Sequence, residues 1–248
     1  MDRMFDAHCH IDVSAAWAPP GDDSPASGRL LCGVDPGDWN RVAEAAAAWP
    51  GTVPAFGLHP WHAWRADGSW RDRLEEFLAA HPDAWLGEAG LDGIRTGDSP
   101  FSAQEEALAW QLGLAKRLNR RVNLHCVKAW EPLAALLDSQ YLSDGPRDFI
   151  VHAFGGPHQY IGILAERGAY FTVGPLTTRH DSRRARARAA LIPEDRLLVE
   201  SDAFLVPGRD AGGELAAAAA WLAAARLTDA DTLSRRIAAN SRRILDHE

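Results

Sequence analysis

The sequence predicts a closed (β/α)8 TIM barrel in a single domain spanning residues 1–248. Three observations carry that expectation. Short β-rich runs alternate with Ala- and Leu-rich helical segments along the chain, a rhythm that makes right-handed crossovers and a parallel sheet. Eight such runs in 248 residues match the size of a closed barrel. No shift of composition marks a domain boundary. An open, doubly wound sheet is the alternative that the rhythm alone leaves.

The first strand is expected over residues 4–8 (MFDAH) and the second over 30–34 (LLCGV), with the Pro/Gly/Ser-rich stretch 19–28 replacing or shortening a helix between them. A helix over 38–49 leads to a third strand at 53–58 (VPAFGL), and a helix over 70–80 to a fourth at 84–88 (AWLGE). The helix over 103–119 precedes VNLHC at 122–126, and the helix over 131–137 precedes FIVHA at 149–153. Helices over 158–167 and 182–191 precede YFTV at 170–173 and LLVE at 197–200. Two helices, 213–226 and 229–245, close the chain; the run 215–225 is so rich in Ala, the best helix former, that it reads as helix rather than linker.

Composition excludes several classes. With 46% hydrophobic residues and ten Trp the chain is not disordered. Its 26 Lys and Arg against 34 Asp and Glu leave a net charge of -8, so a nucleic acid would have to be gripped locally or through metal, not by long-range charge. No apolar run approaches the roughly 20 residues that span a bilayer, and no membrane partner is expected. The opening MDRMFDAHCH lacks a signal-peptide core, and Cys9, Cys32 and Cys126 are too few and scattered for a disulfide framework, so a cytoplasmic location is expected. No P-loop, dinucleotide fingerprint or nucleophile elbow is present, hence no nucleotide cofactor; the GDSP around Asp98 lacks the strand–turn–helix context of a serine nucleophile. Nothing in the sequence defines the oligomeric state.

The residues able to bind metal fall at one place in each unit. His8 and His10 close the first strand, His59 the third, Glu88 the fourth, His125 the fifth and His152 the sixth, while Asp202 follows the eighth. In a barrel these strand ends form one face, where active sites are built. His8 and His10 are two apart and share a face of the strand, as do Glu200 and Asp202. Asp6 has the same spacing from His8 and would orient a ligand imidazole from behind. Cys9 and Cys126 have the opposite phase and read as core residues. A lone His125 or His152 on an apolar strand is ordinarily a satisfied core histidine, but ligand-type residues at six of the eight strand ends favour a metal site. Glu88 between apolar neighbours is costly to bury unless it meets a cation. Imidazole and carboxylate donors without thiolate suit zinc, manganese, magnesium or iron. His81, His158 and His247 read as surface residues, whereas His62 and His180 lie in loops that could reach substrate.

The segments FDAHCHID, FGLHPW, LGEAGLD, NLHC, VHAFGG, VESDAF and IAANSRRIL around Asn240, in this order, resemble the TatD family of metal-dependent hydrolases, and they run from residue 5 to residue 245. The resemblance implies two divalent ions, with His8, His10 and Asp202 on one, His125 and His152 on the other, and Glu88 bridging. It implies that His59 faces the substrate, that Glu200 supports the ligands from behind, and that Asp202 accepts the proton of the attacking water. Four departures lie in substrate-facing loops. The fifth-strand motif His-Ser/Cys-Arg-Asp-Ala is here His125-Cys126-Val127-Lys128-Ala129; Trp61 stands at the second His of GxHPH; Ala203-Phe204 follows Asp202 in place of Pro; and VPGRDAGGE replaces a basic stretch.

The resemblance implies hydrolysis of phosphodiester bonds in DNA, with DNA or another phosphodiester as partner. The five arginines between Arg179 and Arg188 would touch phosphates or form a solvated helix face, and Trp17, Trp61, Trp64 and Trp130 would stack bases or pack their loops. The missing arginine and the acidic charge leave open a small ester, amide or lactone substrate, and a non-catalytic barrel is the third reading.

Overall fold

The computed structural model describes residues 4–12, 26–145, 147–205 and 211–245. Eight parallel strands stand side by side in chain order: β1 (Met4–Ile11), β2 (Ala26–Cys32), β3 (Thr52–Phe56), β4 (Trp85–Asp92), β5 (Val122–Val127), β6 (Phe149–Val151), β7 (Ala169–Val173) and β8 (Leu197–Val199). A short β9 (Phe204–Leu205) pairs with the end of β1. The seam between β8 and β1 is drawn shut by Ser201, whose N–H and hydroxyl donate to the Asp6 carboxylate at 2.9 and 2.6 Å. Asp202 N–H then donates to His8 O at 3.0 Å, and His10 N–H donates to Ala203 O at 2.9 Å. Thus β8 and β9 are one strand interrupted over 200–203, and Asp202, with φ of 46°, is the residue that turns it. The result is the expected (β/α)8 barrel.

Around it lie α1 (Trp39–Ala48), α2 (Trp70–Ala80), α3 (Phe101–Arg117), α4 (Trp130–Leu136), α5 (Gln159–Ala165), α6 (Pro175–Thr178), α7 (Arg183–Leu191), α8 (Ala211–Arg226) and α9 (Ala230–Leu245). Every expected strand and helix is present. β2 starts at Ala26, inside the stretch expected to be loop, and residues 13–25 lie outside the described residues. α4 continues into a π-helical turn, Leu137–Tyr141. α6 and β9, of four and two residues, are too short to show a periodicity in sequence.

Strand alternation divides the core into two layers. Leu31, Leu86, Leu124, Val151, Phe171 and Val199 pack outward against helix residues such as Trp39, Leu74, Leu112 and Leu222. Phe5, Ala7, Leu30, Ala55, Ile150, Tyr170 and Leu198 fill the barrel, and Ile244 of α9 packs with them. Asn240 pins α9 in place: its amide donates to Glu194 O at 2.7 Å and Leu197 O at 2.9 Å, beside the start of β8.

Two irregularities decide what faces inward. Between Asp6 and Cys9 three steps along β1 oppose two along β2, and between Leu86 and Ala89 three steps along β4 oppose two along β5. Each inserts one residue and reverses the alternation. Ala7 packs inside the barrel while Cys9 and Ile11 pack outside. Consequently Asp6 does not share the phase of His8, and its carboxylate meets Ser201 instead of a ligand imidazole. This corrects the orienting role expected for Asp6, which is to close the barrel seam.

Candidate metal centre

The C-terminal strand ends bring His8, His10, His59, Glu88, His125, His152 and Asp202 into one cluster. At its centre is Glu88, almost fully buried, and its two oxygens face different partners. Oε2 lies 3.6 Å from His8 Nε2 and 3.4 Å from His10 Nε2. Oε1 lies 2.8 Å from His152 Nε2, 3.1 Å from His125 Nδ1 and 3.3 Å from His59 Nε2. Asp202 Oδ1 stands 3.8 Å from His8 Nε2 and 3.9 Å from His10 Nε2. Close approach of backbones makes this possible: Gly90 has φ of 155°, and a Cβ there would lie 2.0 Å from His125 O.

Hydrogen bonds behind the rings settle which nitrogens face the cluster bare. His10 Nδ1 is 2.9 Å from Cys32 O, a carbonyl that only accepts, so Nδ1 carries the hydrogen. His8 Nδ1 is 2.8 Å from Asn123 Oδ1, and the Asn123 amide nitrogen donates to Ala7 O at 3.4 Å, which fixes that side chain's orientation. In the neutral rings both Nε2 atoms therefore turn lone pairs to the cluster, 3.0 Å apart. Burial, followed by the neighbouring His152, holds His8 well below the usual imidazole range, so no proton of its own relieves the contact. Two such lone pairs beside two carboxylates fit a cation. His8, His10 and Glu88 form one group able to hold an ion, and His8, His152 and Asp202 another.

His59 differs. Its Nδ1 accepts from Trp61 N–H at 3.2 Å, and burial pulls its pKa down to about 4 against the opposing pull of Glu88. The neutral ring then carries its hydrogen on Nε2 and presents a donor, not a lone pair, to the cluster. His59 shares a possible ligand group with Glu88 and His125, but this tautomer fits a substrate contact better.

Charge in the cluster is balanced by contact. Burial pushes Glu88 up, but His59, His152 and His8 more than offset it and hold the carboxylate well below its usual range. Burial pushes His152 down, yet Glu88, Glu200 and Asp202 lift it to about 10. Asp202 and Glu200 are both raised, chiefly by burial. Asp202 is the more accessible of the two, with 21% of its side chain exposed. Glu200 sits behind His152, Oε2 3.9 Å from its Nδ1, held by the Thr172 hydroxyl and by Ala153 N–H at 3.0 Å.

Several supporting residues escaped the sequence reading. Asp92 Oδ2 lies 3.5 Å from His125 Nε2 and accepts from Trp61 Nε1 at 2.7 Å, while its Oδ1 accepts from Ile94 N–H at 2.8 Å. Asp92 is four residues beyond Glu88, and Asn123 two before His125; both spacings put them on the ligand face, and that signal was available. Cys32 was not detectable: its buried thiol lies 3.5 Å from His8 Nδ1, and burial keeps it protonated and so outside the donor set. Cys9 and Cys126 pack outside the barrel as expected.

At the rim, Trp61 is 42% and Phe204 53% exposed, and the Phe204 ring stacks on His10 at 5.1 Å. Trp64 is exposed beneath Arg65, whereas Trp130 is buried at the start of α4 and unavailable for stacking. His62 is half-buried, 3.6 Å from Asp35, while His158 and His180 are exposed. His81 is not a free surface ring but packs against Phe56 at 5.3 Å. Trp17, His247 and residues 206–210 of the divergent stretch lie outside the described residues. Of the five arginines, Arg179 pairs with Glu214 at 3.2 Å and Arg186 with Asp181 at 2.7 Å. Arg183, Arg184 and Arg188 have no carboxylate partner among the described residues.

Comparison with known proteins identifies the family. The TatD-related DNase family model matches residues 5–246. The chain is 30% identical over 217 residues to the 3'-5' ssDNA/RNA exonuclease TatD of Escherichia fergusonii, covering 82% of this chain and 80% of that protein. It is also 30% identical to the metal-dependent hydrolase YjjV of Escherichia coli K12, over 83% of this chain and 81% of that one. The crystal structure of YjjV superposes with a TM-score of 0.80 and 27% identity, covering 98% of both chains. A TatD family hydrolase from Entamoeba histolytica shares the fold at a TM-score of 0.78 and 15% identity, over 98% of both chains. With a family model spanning nearly its whole length and a barrel face built from that family's motifs, the chain belongs to the TatD family.

Proposed function

We propose that this chain is a divalent-metal-dependent hydrolase of phosphodiester bonds in DNA or another single-stranded nucleic acid. The observation that carries the reading is the division of Glu88: one oxygen faces His8 and His10, the other His125 and His152, as a carboxylate bridging two ions would. His8, His10 and Asp202 would hold the first ion, and His125 and His152 the second. These donors accept zinc, manganese, magnesium or iron. Bound ions supply an acidified water and neutralise charge on the phosphate.

The protein's own groups supply the rest. Asp202, the carboxylate open to the mouth, accepts the proton of the attacking water and returns it to the leaving oxygen. His59 Nε2–H donates to a phosphate oxygen, oriented by Trp61 N–H behind it. Asp92, held by Trp61, keeps His125 turned so that Nδ1 faces Glu88. Glu200 and Thr172 brace the ring of His152.

The test is digestion of end-labelled single-stranded DNA with added Mn²⁺ or Mg²⁺, alongside Asp202→Ala. Metal-dependent shortening that the variant loses is expected. A second reading has support in the apolar rim of Trp61 and Phe204: a small ester, amide or lactone. Intact DNA from metal-loaded protein, with turnover of such a carbonyl substrate, would overturn the nuclease reading in its favour.

A further inference from the structure

A cavity of about 750 Å³ opens past the ends of β5 and β6, the strands that lead to His125 and His152, and is lined by Lys128, Trp130, Glu131, Tyr160, Arg184 and Arg188 among others. Part of its wall follows the ligand-type histidines in sequence, and α4, α5 and α7 supply the rest. Cys126, Val127 and Lys128 come directly after His125, and Ala153 and Gly155 just after His152. Both segments leave their strands through a left-handed residue, Lys128 at φ of 50° and Ala153 at 43°.

The charge of the lining is unlike that of the chain. The protein carries a net charge of -8, yet three of the four charged side chains in the lining are cations. Arg184 and Arg188 are four residues apart on α7, a spacing at which like charges repel. Their helix neighbour Arg186 is neutralised by Asp181 at 2.7 Å, but neither Arg184, Arg188 nor Lys128 pairs with a carboxylate among the described residues, Glu131 included. Arg188 is half-buried, and its Nη1 donates to Gly155 O at 3.3 Å, which anchors the guanidinium over the loop after His152. Lys128 and Arg184 are exposed beside the half-buried Arg188, so three cations without a carboxylate partner stand together where an anion can reach them.

We propose that this cavity is a phosphate subsite, in which Lys128, Arg184 and Arg188 hold the backbone phosphate next to the one presented to the Glu88 cluster. The subsite rests on the nuclease reading and makes a chain of at least two phosphates the preferred substrate. Its volume falls within the roughly 300–1,000 Å³ of ligand pockets, and the half-buried Tyr160 ring lines the same wall.

The test compares two substrates on metal-loaded protein: bis(4-nitrophenyl) phosphate, which has a single phosphodiester, and a labelled thymidine hexanucleotide. Wild type should cleave both. In Arg184→Gln/Arg188→Gln, kcat/KM for the hexanucleotide should fall about tenfold or more, mainly through KM. Its log–log salt slope should shrink by about 0.7 for each phosphate that is no longer neutralised. The loss on the single diester should be several-fold smaller. Arg235→Gln/Arg242→Gln, which removes the same charge from α9, should behave as wild type on both. Equal losses on the two substrates, or an unchanged hexanucleotide KM and salt slope, would overturn the subsite while leaving the nuclease reading intact. A wild type that cleaves neither substrate would overturn the nuclease reading, and the subsite with it.

Discussion

Replacing Glu88 by glutamine preserves the shape of the side chain at the centre of the cluster and removes its charge. Five imidazoles lie within 3.6 Å of the Glu88 oxygens. A tightly held four-ligand ion is worth about 10–16 kcal/mol, so one ligand carries about 3 kcal/mol. That corresponds to more than about a hundredfold in a dissociation constant. Because the two oxygens face separate histidine groups, Glu88→Gln should impose this loss on both ions together. Asp202→Asn should weaken chiefly the ion on His8 and His10, and His152→Ala chiefly the other. Titration against a chromogenic chelator, with metal analysis after dialysis, separates the cases, and circular dichroism checks that each variant is folded. Two equivalents retained by Glu88→Gln at wild-type affinity, or the loss of only one ion, would refute the bridging role.

Three further outcomes follow from the same contacts. In metal-free protein the proton on His152, lifted to about 10, adds stability that is full below the ordinary imidazole value near 6.5 and is lost as pH rises through 10. Metal uptake at pH 8 should therefore release that proton, and affinity should rise about tenfold per pH unit near pH 8; calorimetry in buffers of different ionisation enthalpy counts the protons, and a count of zero contradicts the scheme. Trp61→Phe removes the indole bond to Asp92 at 2.7 Å and should weaken the ion on His125 by about 10–100-fold, read in the same chelator titration. Asn240→Ala leaves the Glu194 and Leu197 carbonyls without their donor and should cost about 2–4 kcal/mol in urea unfolding, with little change in metal affinity.

The sequence by itself determined the order of strands and helices, because hydrophobic periodicity is a local property that survives in one dimension. It also placed six ligand-type residues and His59 at strand ends, and a closed parallel barrel leaves those ends one common face. Counting alternate residues failed where the alternation itself breaks. The inserted residues in β1 and β4 are pairing events between neighbouring strands, so the turning of Asp6 to Ser201 was decided only in three dimensions. Tautomers were beyond sequence for the same reason. His59 became a donor, and His8 and His10 bare acceptors, through the Trp61 amide, the Asn123 side chain and the Cys32 carbonyl, and the last two lie on other strands. The division of the arginines was likewise tertiary: α7 presents Arg184 and Arg188 to a cavity and pairs Arg186 with Asp181, a choice made by packing and not by composition. Residue type and spacing thus decide which groups reach the barrel mouth, while the direction in which each nitrogen and each charge faces depends on contacts between segments far apart in the chain.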